Sequence, residues 1–136
     1  MKMACTNLVI SKDNGRIAAV KCAKGRGIIL PGGRWEEGET PFACASRELK
    51  EETGLIAEKQ RLIFQSPSPS GEFYTYCMLT KVKPWLLGHE YHSIEGTFVL
   101  ATWGELCRSK FGFYYELLYD AVNSTKRRVI EDYLSE

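Results

Sequence analysis

The sequence predicts one domain of the α/β or α+β class, and three observations support this. Its 136 residues match the size of a single domain that buries roughly two thirds of its unfolded surface. Apolar residues make up 44% and charged residues 26%, as is ordinary for a folded protein. Strand-like and helix-like segments follow one another without a repeat or linker. We therefore expect one domain over residues 1–136.

Three strands and a turn are predicted before the first helix. The segments "TNLVIS" and "IAAVKC" are rich in apolar and β-branched residues, and they flank "KDNGR", whose Asn14-Gly15 pair is typical of a tight turn. We expect these segments to form a hairpin. Ile28 to Leu30 predicts a short strand, and "PGGRWEEGE" after it a structured loop.

A helix is predicted over about residues 41–53. Thr40 suits the N-cap, Pro41 suits the first helical position, and Gly54 supplies the stop.

The second half of the chain predicts more strands and two more helices. "RLIFQ" and "EFYTYCMLTKV" read as strands on either side of the turn-rich "SPSPSG", and "GTFVLATW" reads as another. Thr102 and Glu105 have the spacing of a capping box, which predicts a helix near "GELCRS". The final 23 residues have helical spacing, with a break near Asn123 and Ser124.

Charge and cysteine content narrow the function classes. The net charge of +1 gives no general case for nucleic-acid or membrane binding. The N-terminal apolar run is too short for a signal peptide, and no stretch approaches a membrane span. The five cysteines are widely spaced and include no C-x-x-C pair, so we interpret them as buried thiols in a reducing compartment, with a catalytic thiol as the alternative. We expect a cytoplasmic protein.

The predicted helix carries a dense cluster of carboxylates in "RELKEETG". At 100° per residue, Glu48, Glu51 and Glu52 fall within about 100° of one another on the helix surface. Like charges at this spacing destabilise a helix, so the cluster needs compensation. Arg47 and Lys50 could neutralise it as a salt-bridged, solvated face. The alternative is a divalent cation such as Mg²⁺, which prefers carboxylate oxygens and is completed by substrate phosphates.

The segment from Gly33 to Leu55 resembles the Nudix box of the MutT-like Nudix hydrolases. That motif consists of a glycine, five arbitrary residues, a glutamate, seven arbitrary residues and then R-E-U-x-E-E-x-G-U, where U is a large aliphatic residue. Every fixed position of the motif is matched here. The matching residues are Gly33, Glu39, Arg47, Glu48, Leu49, Glu51, Glu52, Gly54 and Leu55.

The resemblance implies a fold, an activity and a metal. The fold would be a mixed β-sheet sandwiched between helices, and the reaction would be hydrolysis of a diphosphate linkage in a nucleoside diphosphate derivative. Mg²⁺ is the implied cofactor, with Mn²⁺ as a possibility. The implied metal ligands are Glu48, Glu51 and Glu52. The carbonyl of Gly32 or Gly33 would add a further ligand, and Arg47 would orient a glutamate by a charge-assisted hydrogen bond.

The general base stays open at this point. Members of the family use either a box glutamate, here Glu48, or an acidic residue from a later loop, here Glu90 or Glu95 in "GHEYHSIEG". Glu39 lies just before the helix, where a helix-start charge or a structural ion pair is as good an interpretation as metal ligation.

Substrate contacts are expected beside the box. Gly32 and Gly33 allow close approach of a ligand. The basic residues on the flanking segments could meet substrate phosphates, although an ordinary surface charge is the favoured interpretation of each; they are Arg16, Lys21, Arg26 and Arg34. Trp35 could stack on a nucleobase or cover the core, with packing favoured.

Two tyrosines after the box have the same ambiguity. Strand alternation sends Tyr74 and Tyr76 to one face, as either core or pocket residues. We expect a nucleoside triphosphate pyrophosphatase, acting as a monomer or homodimer on a small nucleotide and releasing a nucleoside monophosphate. The alternatives are an ADP-ribose or dinucleoside polyphosphate pyrophosphatase and a non-catalytic nucleotide-binding module.

Overall fold

Within the described residues, four strands precede the first helix, and three more strands precede the last two helices. The computed structural model describes residues 2–68, 70–86 and 88–123, and seven strands and three helices lie within them. The strands are β1 (Lys2–Leu8), β2 (Ile17–Cys22), β3 (Ile28–Ile29), β4 (Gly32–Arg34), β5 (Ala57–Pro67), β6 (Phe73–Val82) and β7 (Gly96–Ala101). The helices are α1 (Pro41–Thr53), α2 (Trp103–Cys107) and α3 (Gly112–Asn123).

The strands form two sheets, in the orders β4-β1-β6-β5 and β3-β2-β7. The pair β1 and β6 is parallel, and the other pairs are antiparallel. The segment predicted as a loop after Leu30 contains the strand β4, in which Gly33 pairs with Cys5 of β1. This pairing fixes Gly32 and Gly33 to the edge of the larger sheet.

The predicted hairpin at the N-terminus is wrong as a strand pair, although its turn forms. Gly15 has a φ of 69°, and Ser11 donates its N–H to the carbonyl of Arg16 at 2.8 Å. The ladder continues only to Val9, whose carbonyl accepts from Ala18 at 2.9 Å. Beyond it, β1 joins the larger sheet and β2 the smaller one, because each finds its other partners there. The turn therefore connects two sheets.

The helix predicted over residues 41–53 is confirmed with those bounds. The side chain of Thr40 accepts a hydrogen bond from the N–H of Ala43 at 3.1 Å. Gly54 adopts the left-handed conformation, with a φ of 75°, and donates its N–H to Lys50 at 3.0 Å. Local capping thus sets both ends of the helix that carries the glutamates.

The sheets lie between α1 on one side and α2 and α3 on the other. Along β6, Met78 packs in a buried cluster with Ala45 of α1, whereas Cys77 and Leu79 belong to a cluster that contains Leu118 of α3. This alternation follows from the pleat, which sends successive side chains to opposite faces. The predicted α/β/α sandwich is confirmed.

The C-terminal predictions are confirmed as far as the described residues extend. Helix α2 begins with the predicted capping box between Thr102 and Glu105. Helix α3 reaches Asn123, and the predicted break at Ser124 and the segment after it lie outside the described residues. No helix within the described residues has the length and apolar character that a membrane crossing requires.

Candidate active site

A cavity of about 420 Å³ opens between β1, β6, the box glycines and α3. Glu48 and Glu52 of α1 form part of its wall, and Phe73, Phe111 and Tyr114 form another part. Its volume lies within the range typical of small-molecule sites. The cavity therefore joins acidic groups to an aromatic surface.

Arg47 is the centre of an ion-pair network on α1. Its Nε and Nη2 donate to the two carboxylate oxygens of Glu39 at 2.7 and 3.0 Å. Its Nη1 donates to Glu48 at 2.8 Å and to Glu51 at 3.3 Å. Hydrogen bonding to Glu39 is the largest cause of the raised pKa of Arg47, and the bond from Arg47 lowers the pKa of Glu39. Of the interpretations considered for Glu39, the structure shows the ion pair. Two guanidinium nitrogens of Arg47 bond the two carboxylate oxygens, a geometry that only arginine can provide.

Arg47 also holds the box to the preceding strand. Its Nη2 donates to the carbonyl of Arg34 at 3.1 Å, which connects α1 to the end of β4. The side chain of Arg47 thereby fixes the position of the glutamates relative to the glycines.

Glu52 is the most buried carboxyl group of the box, with 3% of its surface exposed. Its Oε2 accepts the N–H of Gly32 at 3.0 Å. Burial, followed by hydrogen bonding to Glu48, raises its pKa to about 9. In the absence of a cation, Glu52 therefore holds a proton at neutral pH.

Gly32 and Gly33 are needed as glycines because the space beside each of them is taken. A Cβ atom on Gly33 would lie 2.8 Å from the carboxylate of Glu48, and one on Gly32 would collide with the carbonyl of Cys5. Both glycines line the cavity, where their backbone groups stay open to a ligand.

The three predicted metal ligands, Glu48, Glu51 and Glu52, do not converge on one point. Within the described residues, no group of three or more acidic, histidine or cysteine side chains is placed to hold a metal ion. The structure brings Glu48 and Glu52 together, whereas Glu51 is directed to Arg47 and its side chain is 58% exposed. A buried carboxyl group beside a second, half-buried one is an arrangement that a hard cation fits.

The two candidate loop glutamates differ in position. Glu95 lines the cavity and accepts a hydrogen bond from Arg26 at 2.9 Å. Its charge also contributes to the raised pKa of Glu52, so the two carboxyl groups interact. Glu90 is exposed and lies outside the cavity wall.

The aromatic residues singled out from the sequence lie on the other side of the larger sheet. Tyr74 and Tyr76 share one face as predicted, with ring centroids 5.3 Å apart. Trp35 packs on Tyr76 at 5.5 Å. Trp35 and Tyr76 pack against the buried cluster beneath α1, as the packing interpretation of Trp35 expects. The cavity wall is formed instead by Phe73 and Thr75, which alternate with the tyrosines.

Positive charge borders the cavity at two points. Arg34 lies among the lining residues with its guanidinium over the ring of Phe73, 4.9 Å from the ring centroid. Arg26 lies across from it, paired with Glu95. These two side chains offer sites for phosphate groups beside the carboxylates.

Helix α3 supplies a wall that the sequence did not reveal. The hydroxyl of Tyr115 accepts the N–H of Leu30 at 2.9 Å, which docks the helix on the chain just before the box. The neighbouring Tyr114 is 4% exposed, and its hydroxyl has no hydrogen-bond partner within the described residues. Helical spacing in "YYELL" predicts a packed helix, but it does not say which strands that helix covers.

Comparisons with known proteins agree with this geometry. A family model described as NUDIX domain matches residues 1–106. The mRNA-decapping protein g5R of African swine fever virus is 41% identical over 56 residues, and the match covers 38% of this chain. It spans only 23% of the length of that viral protein.

Solved structures show the same fold. An ADP-ribose pyrophosphatase from Streptococcus suis superposes with a TM-score of 0.68 and 21% identity, covering 91% of this chain and 93% of that one. A MutT protein from Bacillus halodurans superposes with a TM-score of 0.69 and 16% identity, covering 91% and 84% of the two chains. At such identities the likeness concerns the fold alone.

Proposed function

Because the chain belongs to the Nudix family, we propose that it hydrolyses a diphosphate linkage in a nucleoside triphosphate and releases a nucleoside monophosphate. The observation that carries this proposal is the cavity, in which the carboxyl groups of Glu48 and Glu52 share a wall with aromatic side chains. A nucleotide has the same division, with an aromatic base at one end and phosphates at the other. Residues 1–136 would perform this reaction as one domain.

The aromatic part of the cavity is the place for the base. The ring of Phe111, just before α3, offers apolar surface on which a base can pack, whereas the ring of Phe73 is covered by the guanidinium of Arg34. Arg34 and Arg26 then meet the phosphates. This orientation directs the diphosphate linkage to the carboxylates.

Mg²⁺, or Mn²⁺ in its place, would be held by Glu48 and Glu52, with the carbonyl of Gly32 as a further ligand. When bound, the ion supplies polarisation of the phosphoryl oxygens and a lower pKa for a bound water. Glu51 joins the set once it leaves Arg47, and its exposed 3.3 Å ion pair makes that exchange inexpensive. The cation would take the place of the proton on Glu52.

The substitution Glu52→Gln tests this metal site. It removes the charge of the buried carboxyl group but keeps its size, so we expect at least a 100-fold lower kcat and weaker Mg²⁺ binding in a calorimetric titration. Glu58→Gln removes an exposed glutamate from β5 and serves as the control. Unchanged hydrolysis in Glu52→Gln would remove Glu52 from the metal site.

We propose Glu95 as the acidic residue that takes the proton from the attacking water, with Glu48 as the alternative. Glu95 lines the cavity within electrostatic reach of Glu52, whereas Glu90 does not line it. The pair of substitutions Glu95→Gln and Glu90→Gln tests this assignment. We expect a loss of roughly 10²–10⁴-fold in kcat, with a changed pH profile, for the first only. Equal activity of the two variants would leave Glu48 as the base.

The substrate is tested by product analysis. Incubation with Mg²⁺ and a nucleoside triphosphate, followed by chromatography, is expected to yield a nucleoside monophosphate and pyrophosphate. ADP-ribose and a dinucleoside polyphosphate belong in the same panel, because they carry the same linkage. Turnover of either in preference to every triphosphate would contradict the first choice.

One specific observation favours a second candidate, which is hydrolysis of a capped oligonucleotide. The 41% identity over 56 residues is to a protein named for mRNA decapping. A capped dinucleotide therefore joins the panel as a further arm. A non-catalytic binding role is disfavoured, because every glutamate of the box is present.

A further inference from the structure

Two of the five cysteine side chains meet beneath the active site. Cys5 of β1 and Cys44 of α1 place their sulfur atoms 2.6 Å apart, although they are 39 residues apart in the chain. Both are buried, with 2% and 0% of their surfaces exposed. Cys22, Cys77 and Cys107 show no comparable sulfur contact within the described residues. The interpretation as buried thiols is confirmed for this pair, whose contact the sequence did not indicate.

We propose that Cys5 and Cys44 are a redox modification site, at which an oxidant converts the two thiols reversibly into a disulfide. A disulfide bond is only about 0.6 Å shorter than the present contact between the two sulfur atoms. The side chain of Cys44 is otherwise held by long contacts from its sulfur to the carbonyls of Gly33 and Arg34, at 3.7 and 3.6 Å. Little has to move for the bond to form.

The chemistry balances with a peroxide as the oxidant. One thiol attacks a peroxide oxygen, becomes a sulfenic acid and releases one water molecule. The second thiol then attacks the sulfur of the sulfenic acid and displaces its hydroxide, which takes the proton of the second thiol and leaves as the second water molecule. Each sulfur gives up one electron, and the peroxide takes up two. A dithiol reductant restores both thiols.

The cavity reaches β1 next to the pair, because Cys5 is among the residues that line it. The side chain of Cys5 shares the face of Tyr76, its partner in the β1–β6 pairing, so hydrogen peroxide has to reach the sulfur through a local opening of the packing beneath α1. Hydrogen bonding to Cys44, together with burial, raises the pKa of Cys5, which keeps that thiol protonated. The reaction is expected to be slow compared with that of an exposed, ionised cysteine.

The bond would connect the two elements that carry the active site. Cys5 lies opposite Gly33 in the β1–β4 pairing, and Cys44 lies one helical turn before Glu48. A disulfide would thus tie β1, the pairing partner of the strand that contains Gly33, to the helix that carries the predicted metal ligands. The proposal stands on this sulfur contact and is independent of which nucleotide the protein hydrolyses.

The test is a thiol count with peptide mapping. Reduced protein is treated with hydrogen peroxide, freed of oxidant, denatured in acid and alkylated. We expect five alkylated cysteines before oxidation and three after it, with a peptide that joins Cys5 to Cys44. The oxidised protein should melt roughly 5–10 °C higher, and dithiothreitol should reverse this.

Two variants make the result specific. Cys44→Ala should keep its remaining four thiols and show no rise in melting temperature, whereas Cys22→Ala should still form the bond. If Cys44→Ala does not fold, the mapping in Cys22→Ala and in the unmodified chain decides. Five alkylated cysteines after oxidation, a disulfide between another pair, or oxidation to sulfinic acid without a bond would each overturn the proposal.

Discussion

Raising the pH is expected to destabilise the metal-free protein, because folding binds a proton at Glu52. The pKa of this group is about 9 in the folded protein, against an ordinary value of 4.5. The stabilisation that comes from the protonated group is fully present below about pH 4.5 and is lost as the pH rises through about 9. Each pH unit in between should lower the free energy of unfolding by at most about 1.4 kcal/mol.

The magnitude follows from where Glu52 lies. The group is 3% exposed and accepts one hydrogen bond, from Gly32, so water compensates little for its charge. After burial, the hydrogen bond to Glu48 is the next cause of the raised pKa of Glu52. Glu39 and Glu105 have lowered pKa values, so their contributions are lost only as the pH falls below about 4.5. The loss of unfolding free energy between pH 5 and pH 9 is therefore expected to come from the buried carboxyl group of Glu52.

Urea unfolding in the presence of EDTA, followed by circular dichroism at a series of pH values, measures this effect. The midpoint of the wild type should fall steadily between about pH 5 and pH 9. The variant Glu52→Gln has no titrating group at position 52, so its unfolding midpoint should depend much less on pH. With saturating Mg²⁺ the slope should also shrink, because the cation replaces the proton. Parallel profiles for the wild type and Glu52→Gln in EDTA would refute the reasoning.

Three further predictions concern single side chains. Tyr115→Phe should cost about 1–2 kcal/mol of unfolding free energy in urea, because it leaves the N–H of Leu30 unpaired, whereas Tyr114→Phe removes an unpaired hydroxyl and should be neutral or stabilising by up to about 1 kcal/mol. Equal losses would contradict this. Arg47→Lys should cost about 1 kcal/mol in the same assay, since lysine lacks the two-pronged pair, and a smaller loss than in Lys50→Arg would contradict it. Gly33→Ala should lower kcat at least tenfold in a steady-state assay with little loss of stability, because the methyl group displaces the mobile carboxylate of Glu48; normal kcat would argue against this.

Local signals in the sequence were sufficient for α1 and insufficient for the first strands. Thr40, Pro41 and Gly54 act on residues within one turn of themselves, so the bounds of the helix could be predicted. The Asn14-Gly15 turn also formed, but the partners of β1 and β2 lie far along the chain. Pairing between distant segments leaves no signal at the turn itself.

The candidate site divides in the same way. The box glutamates could be found because they lie on one helix at fixed spacing, and the structure places two of them beside the cavity. Strand alternation grouped Tyr74 with Tyr76, but it did not say which face the cavity would take. That choice depends on where α3 docks, and its contact from Tyr115 to Leu30 joins residues 85 positions apart.

The compensation of the crowded glutamates is shared between two agents, according to burial. Arg47 holds Glu39, Glu48 and Glu51 through bonds that solvent can reach, which is what a salt-bridged face requires. It makes no such bond to Glu52, whose carboxyl group is buried and can be neutralised only by a proton or a cation. The salt-bridge interpretation therefore accounts for the outer part of the cluster. A metal ion bound between Glu48 and Glu52 would gain most from Glu52, because this is the one carboxyl group of the cluster that Arg47 leaves without a counter-charge.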